Sequence, residues 1–382
     1  MGRALTGSVY RRGNVWWVQI EVGQDPATGR RQRHYKGGFR TRREAEAYKA
    51  QVLAELQRGT FVEPAKMTVG EFLERWLRDY AEVSVRPSTL ESYRALVRRH
   101  LIPALGKIPL AKLQPIHLQE MLARKQQEGL SARSVRYLYS LMREALGHAV
   151  KWQLVGRNVA EAVDPPKLER AEREVLTEEQ ARALLEGIED LRLLVPVSLA
   201  LLGGLRRGEC LGLRWEDVDQ EEGRIYIRQT LEYVPGKGLV FGRPKTPKSR
   251  RAVDMPPLVF TILRRWRKQQ ARERLAAGPL WKDSGLVCTA EDGGPLDPDR
   301  VTKAFAKVVK ALGLPAITFH DLRHTHATLL FKQGTHPKLV QERLGHSQIG
   351  ITLDLYSHAV PGLGKEVALT VERIFRATQE QA

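Results

Sequence analysis

Three clusters in the second half of the chain hold residue types that can move a phosphoryl group. Leu201-Leu202-Gly203-Gly204-Leu205-Arg206-Arg207-Gly208-Glu209 sets an arginine in a glycine-rich turn. His320-Asp321-Leu322-Arg323-His324 combines imidazoles with a second arginine. Leu344-Gly345-His346-Ser347 is followed, ten residues after its histidine, by Tyr356. Guanidinium groups clamp non-bridging phosphate oxygens and neutralise a pentacoordinate transition state. Cationic groups, imidazoles and one tyrosine are what phosphoryl transfer onto a phenol needs. No carboxylate cluster accompanies the motifs, so the chemistry reads as free of metal and cofactor.

The elements that must position these residues follow from local signals. Thr177-Glu178-Glu179-Gln180 is a capping box that opens the third segment, residues 174–382. That segment runs through helices, a short strand region from Arg224 to Val253, and more helices. Pro244-Lys245-Thr246-Pro247-Lys248 falls on the loop of an expected hairpin and offers two lysines. Glu209 is expected to order the fold around Arg206. Arg207 and His324 read as packing or surface groups, His326 and His358 as structural. The helix Val259–Arg274 carries Arg264, Arg265, Arg267 and Lys268 on what reads as a solvated face.

Two segments precede it. Residues 1–62 read as a small sheet and a helix: Val15–Val22 is strand-like, Asp25-Pro26-Ala27-Thr28-Gly29 is a turn, and Arg31–Tyr35 returns as a basic strand. Thr41-Arg42-Arg43-Glu44 caps the helix, which runs to about Arg58. Adjacent strand residues face opposite ways, so one of Trp16 and Trp17 belongs to the core. Residues 67–160 read as four helices. Thr68-Val69-Gly70-Glu71 and Ser88-Thr89-Leu90-Glu91 are expected capping boxes, a third helix follows Pro115, and a fourth spans about Ser131 to Trp152. Asp164 to Glu174 reads as a linker. The fold class is therefore multidomain and mainly α, with small β-sheets in the first and third segments.

Charge separates these segments. Residues 1–160 hold 28 Lys and Arg against 14 Asp and Glu, a net of +14; residues 161–382 hold 34 against 30, a net of +4. A basic front half on a nearly balanced back half is the footprint of a polyanion grip joined to something else. Arg31 and Arg33 on the basic strand, Arg94 and Arg98 on the second helix, and Arg133 and Arg136 at the start of the fourth are the candidate phosphate contacts. Cys210 and Cys288 are too few for a disulfide framework or a four-ligand zinc site and suit a reducing interior. No run approaches the ~18 apolar residues of a spanning helix, so no membrane partner is expected.

The five ordered signals (the Arg206 turn, a Lys-Thr pair, His320-x-x-Arg323, Leu344-Gly345-His346 and Tyr356) resemble the catalytic domain of tyrosine recombinases of the phage integrase family. Residues 67–160 are similar to that family's helical core-binding domain, and residues 1–62 resemble the arm-binding domain of some integrases. The resemblance implies that Tyr356 attacks the scissile phosphate and leaves a 3′-phosphotyrosyl bond. Arg206 and Arg323 would hold non-bridging oxygens, His320 and His346 would hydrogen-bond the phosphoryl group, and a lysine would protonate the leaving 5′-oxygen. The Lys-Thr wording favours Lys245 for that role over Lys248. The resemblance further implies double-stranded DNA attachment sites as partner and four protomers on two sites. Accessory DNA-bending proteins and a place on the nucleoid in the cytoplasm of a bacterial host follow from the same likeness. The terminal segment Lys365–Ala382 has helical apolar spacing and is expected to dock either on its own core or on a neighbouring protomer. Two rivals stand beside this reading: a type IB topoisomerase, and a DNA-binding regulator with an inactive catalytic domain.

Overall fold

A computed structural model describes residues 6–24, 29–57, 67–168, 174–242 and 250–345, with isolated positions beyond 348. The chain divides into two compact units, Met1–Arg170 and Ala171–Ala382. Mainly helical units with small antiparallel sheets are the architecture the sequence predicts. Among the described residues no helix is long and apolar enough to cross a membrane.

In the first unit, β1 (Gly7–Arg12), β2 (Val15–Gln24) and β3 (Arg31–Phe39) form one antiparallel sheet in that order. Strand β1 is not marked in the sequence reading. Period-two alternation turns Trp16, Val18 and Ile20 toward α1 (Arg42–Gln57), where they meet Ala45 and Val52. Trp17 lies on the other face, over Gly37, where a Cβ would stand 2.4 Å from the indole. The two tryptophans do split between faces, but neither is fully buried. The expected box at Thr41 forms: Glu44 donates its N–H to Thr41 Oγ1 at 3.2 Å, and its carboxylate accepts from the Thr41 N–H.

The four expected helices of this unit are α2 (69–84), α3 (87–105), α4 (Pro115–Gln127) and α5 (Ala132–Lys151). Short π-helical turns, Leu77–Ala81 and Val97–Leu101, interrupt the first two. Phe72, Leu73, Trp76, Leu101, Leu118 and Leu138 fill their shared core. The Thr68–Glu71 box caps α2. The box expected at Ser88–Glu91 does not form. Helix α3 begins two residues earlier than a cap at Ser88 would set, at Pro87, whose fixed φ and missing N–H suit the first helical position, so Ser88 lies inside the helix.

The second unit is built around α7 (Leu191–Gly203), apolar nearly all round and buried by its neighbours. Those include α6 (Glu178–Gly187), opened by the expected Thr177–Gln180 box, and the short α8 (Arg207–Leu211). Helices α9 (Pro257–Ala277), α10 (Pro298–Ala311), α11 (Asp321–Lys332) and α12 (Pro337–Leu344) complete the described helices. Val259, Leu263 and Trp266 bury one side of α9, leaving Arg264, Arg265, Arg267 and Lys268 exposed as expected.

The strand region departs from expectation. Strands β4 (Val218–Asp219), β5 (Arg224–Ile227) and β8 (Arg251–Asp254) form one sheet, while β6 (Thr230–Val234) pairs with β7 (Gly238–Gly242) as a separate hairpin. Strands β7 and β8, which flank residues 243–249, therefore lie in different sheets, and the hairpin loop expected to carry Lys245 and Lys248 falls on the residues between them. Residues 243–249 themselves lie outside the described residues, as do Tyr356, His358 and most of Lys365–Ala382.

Candidate active site

Two left-handed glycines set the loops of the site. Gly204 ends α7 at φ 67° and Gly345 ends α12 at φ 64°, a conformation that L side chains adopt only with strain. A Cβ on Gly204 would also stand 2.7 Å from Leu344 and 2.8 Å from His326. The two turns thus approach each other closely, one leading to Arg206 and the other to His346.

Arg323 joins them. Its side chain rises from α11 into the interior, where the residue is 2 % exposed. Nη1 donates to the Gly204 carbonyl and Nη2 to the Leu344 carbonyl, both at 2.5 Å. Burial, reinforced by the nearby Arg206, pushes its pKa well down. Guanidinium basicity starts so far above neutrality that the group stays cationic at pH 7.

Arg206 begins α8 and remains one-third exposed. Its Nη1 donates to Glu209 Oε1 at 2.7 Å, its backbone N–H to Oε2 at 3.0 Å, and its Nη2 to the Gly345 carbonyl at 3.3 Å. The structural role expected of Glu209 is what the bonds display. Burial of Glu209 would raise its pKa, but Arg251 and Arg206 outweigh that and hold the carboxyl below its usual range.

The histidines divide by burial. His320, at the start of α11, is exposed, and its ring stands edge-on to His324 at 5.0 Å. His326 is buried: Nδ1 bonds the Leu201 carbonyl at 2.9 Å, and Nε2 accepts from Arg343 Nε at 3.0 Å. Desolvation, with Arg343 adding to it, lowers its pKa to about 3, so the ring is neutral and structural as expected. Arg207 bonds the Pro298 carbonyl and Thr302 Oγ1, a packing role. Among the described residues no group of three or more His, Cys, Asp or Glu could hold a metal ion. Cys210 and Cys288 are both free and buried, and burial pushes both thiols up, Cys288 to about 12.

The structure thus brings Arg206, Arg323 and the Leu344-Gly345 turn together, with His320 at the start of the helix that carries Arg323. His346, Tyr356, Lys245 and Lys248 lie outside the described residues. Sequence reasoning missed two arginines here. Arg251 at the start of β8 bonds both Glu209 oxygens and the Arg343 carbonyl. Arg343 ties His326 to the Asp254 and Leu202 carbonyls. The available signal was position: Arg343 directly precedes Leu344-Gly345-His346, and Arg251 opens a strand whose next inward residue is apolar.

The six candidate phosphate contacts fall into two groups. Arg133 and Arg136 are exposed beside Ser134, Tyr137, Ser140 and Leu168 around an open hollow of about 480 Å³. Arg33 is exposed on β3, and Arg31 stands 3.5 Å from Glu21. Arg94 instead pairs with Glu82 and Glu91, and Arg98 makes two 3.0 Å bonds to Glu74. A phosphate must compete with carboxylates for those two, as it must with Glu21 for Arg31.

Comparison with known proteins agrees with this architecture. Residues 174–361 match the phage integrase family, residues 68–125 the phage integrase N-terminal SAM-like domain, and residues 8–56 the arm DNA-binding domain. A tyrosine recombinase XerC-like protein of Caldanaerobacter subterraneus is 28% identical over 94% of this chain and 96% of its own length. The ICEBs1 integrase of Bacillus subtilis is 26% identical over 92% of this chain and 95% of its own. In fold, the chain is similar to the Tn1549 transposon integrase, solved with a circular intermediate DNA. That likeness has a TM-score of 0.70 at 24% identity, covering 81% of this chain and 99% of that one. Lambda integrase, solved as a dimer on a core site, gives a TM-score of 0.58 at 20% identity over 93% of this chain and 96% of that one. With three family modules matched in order and relatives aligned end to end, the chain belongs to the phage integrase family of tyrosine recombinases, enzymes that break and rejoin DNA.

Proposed function

We propose that this site-specific recombinase of mobile elements cuts DNA with Tyr356 and holds the scissile phosphate between Arg206 and Arg323. The observation that carries the reading is the Arg323 bridge, whose guanidinium fastens the turn before Arg206 to the turn before His346. Three motifs far apart in sequence are thereby fixed around one place, with two cations committed to it.

In the proposed reaction Tyr356 gives its phenolic proton to His320 or His346 as its Oη attacks phosphorus, and the bond to the 5′-oxygen breaks. Lys245 gives that oxygen its proton, leaving a 3′-phosphotyrosine and a free 5′-hydroxyl. Attack of a 5′-hydroxyl from the partner strand reverses the steps and releases the tyrosine. Arg206 and Arg323 stabilise the charge that develops on the non-bridging oxygens. His320 and His346 hydrogen-bond the phosphoryl group.

The modules 1–62 and 67–160 would grip DNA and 174–382 would cleave it, with Arg31, Arg33, Arg133 and Arg136 on the gripping surfaces. Four protomers on two attachment sites make a complete exchange, a reading supported by lambda integrase solved as a tetramer on a Holliday junction. Accessory bending proteins and residence on the bacterial nucleoid belong to the same proposal. The test is strand cleavage of a nicked crossover-site duplex in excess EDTA. A covalent protein–DNA adduct with a free 5′-hydroxyl is expected. Cleavage that vanishes in EDTA and returns with magnesium, DNA binding being unchanged, would replace this chemistry with a metal-dependent nuclease.

A further inference from the structure

The charges around Glu209 do not balance in the way a simple Arg206–Glu209 pair would require. Glu209 is 1 % exposed and touches two guanidinium groups, not one. Arg206 takes Oε1 at 2.7 Å through Nη1. Arg251, whose side chain is 7 % exposed, takes Oε2 at 3.0 Å through Nη2 and Oε1 at 3.3 Å through Nη1. Its Nε donates to the Arg343 carbonyl at 2.7 Å, one residue before Leu344-Gly345-His346. Arg251 therefore has one hand on the carboxylate that orients Arg206 and the other on the turn that leads to His346.

We infer that Arg251 is a positioning residue of the active site, one that neutralises Glu209 so that the charge of Arg206 remains available to the scissile phosphate. The inference rests on the assignment of Arg206 and Arg323 to phosphate binding. Formal charges show what Arg251 adds. Arg206, Arg323, Arg251 and Glu209 together carry +2, matched to the doubly charged phosphorane of phosphodiester attack. Without Arg251 the same site carries +1. Glu209, walled from water, would then lean wholly on Arg206, because a buried carboxylate draws on whatever cation it can reach. Arg206 would stay in place and lose much of its field.

The test uses full-length protein and single-turnover cleavage of a nicked duplex carrying its crossover site, made once with the natural phosphodiester and once with a methylphosphonate at the scissile position. The methyl group removes one non-bridging negative charge, so a site of +1 suffices. Arg251→Met should slow phosphodiester cleavage about 10- to 100-fold, the range for partners that act through a neighbouring group. The methylphosphonate should recover most of that loss. Adding Glu209→Gln to Arg251→Met removes the carboxylate that quenches Arg206 and should raise phosphodiester cleavage at least about tenfold over the single variant. Arg251→Lys should fall between Met and wild type.

A folded Arg251→Met that neither the methylphosphonate nor Glu209→Gln improves would overturn the inference, since a purely structural arginine gives that result. If Arg251→Met does not fold, the double variant is compared with Glu209→Gln alone. Equal rates support the inference, and a further large loss in the double contradicts it. Arg206→Ala cleaving the phosphodiester at the wild-type rate would remove the underlying assignment, and this inference with it.

Discussion

Replacing Arg323 with lysine keeps the positive charge and removes the fork that holds the site together. In the wild type two 2.5 Å bonds run from one guanidinium to the Gly204 and Leu344 carbonyls. One ammonium on a narrower side chain cannot reach both. A buried carbonyl left unpaired costs about 1–3 kcal/mol, and the space vacated by the guanidinium adds roughly 1 kcal/mol. The variant should therefore lose about 2–4 kcal/mol. For a unit the size of Ala171–Ala382, that is a fall in Tm of roughly 5–15 °C, read by calorimetry as a shift of one transition while that of the first unit stays put. Single-turnover cleavage should fall further, by about 10²- to 10³-fold, because the hold on the phosphate proposed for Arg323 would be lost as well. A Tm within about 1 °C of wild type would refute the bridge. A normal cleavage rate with a lowered Tm would leave Arg323 structural and outside the chemistry.

His326 makes the second unit sensitive to acid. Its folded pKa of about 3 lies below its ordinary 6.5, so the unfolded chain binds the extra proton between those values, and stability is complete above pH 6.5 and falls as pH drops toward 3. From pH 7 to 5 the loss should be about 2 kcal/mol. His326→Asn should flatten that slope in denaturant titrations, and an unchanged slope would place the titration elsewhere. In DNA binding, Arg133→Ala with Arg136→Ala should weaken affinity alike for specific and random duplex and lower the salt slope by about 1–2. An unchanged slope would leave that hollow as plain surface.

Much of the site was legible because its parts carry local signals. The glycines before Arg206 and His346 announce left-handed turns, and the boxes at Thr41, Thr68 and Thr177 form as capping chemistry dictates. Ser88 misled because two start signals overlap, and Pro87 prevailed through its fixed φ. The strand pairing around Lys245 was hidden because alternation says which face a residue takes, not which strand lies beside it. The carboxylate partners of Arg94 and Arg98, Glu74 on a different helix among them, were not legible because a charge count cannot see them. Arg251 escaped for a related reason: its bonds reach residues 42 and 92 positions away, and no spacing rule spans that distance.

The central claim is the identity of the nucleophile. The most direct measurement is to trap the covalent complex on a nicked crossover-site duplex, digest it with trypsin, and identify the DNA-linked residue by mass spectrometry, with Tyr356→Phe run in parallel. The account predicts one modified peptide, carrying its nucleotide on Tyr356, and no adduct from the Phe variant, which should still bind the duplex normally. An adduct on any other residue, or one that survives in Tyr356→Phe, would contradict it.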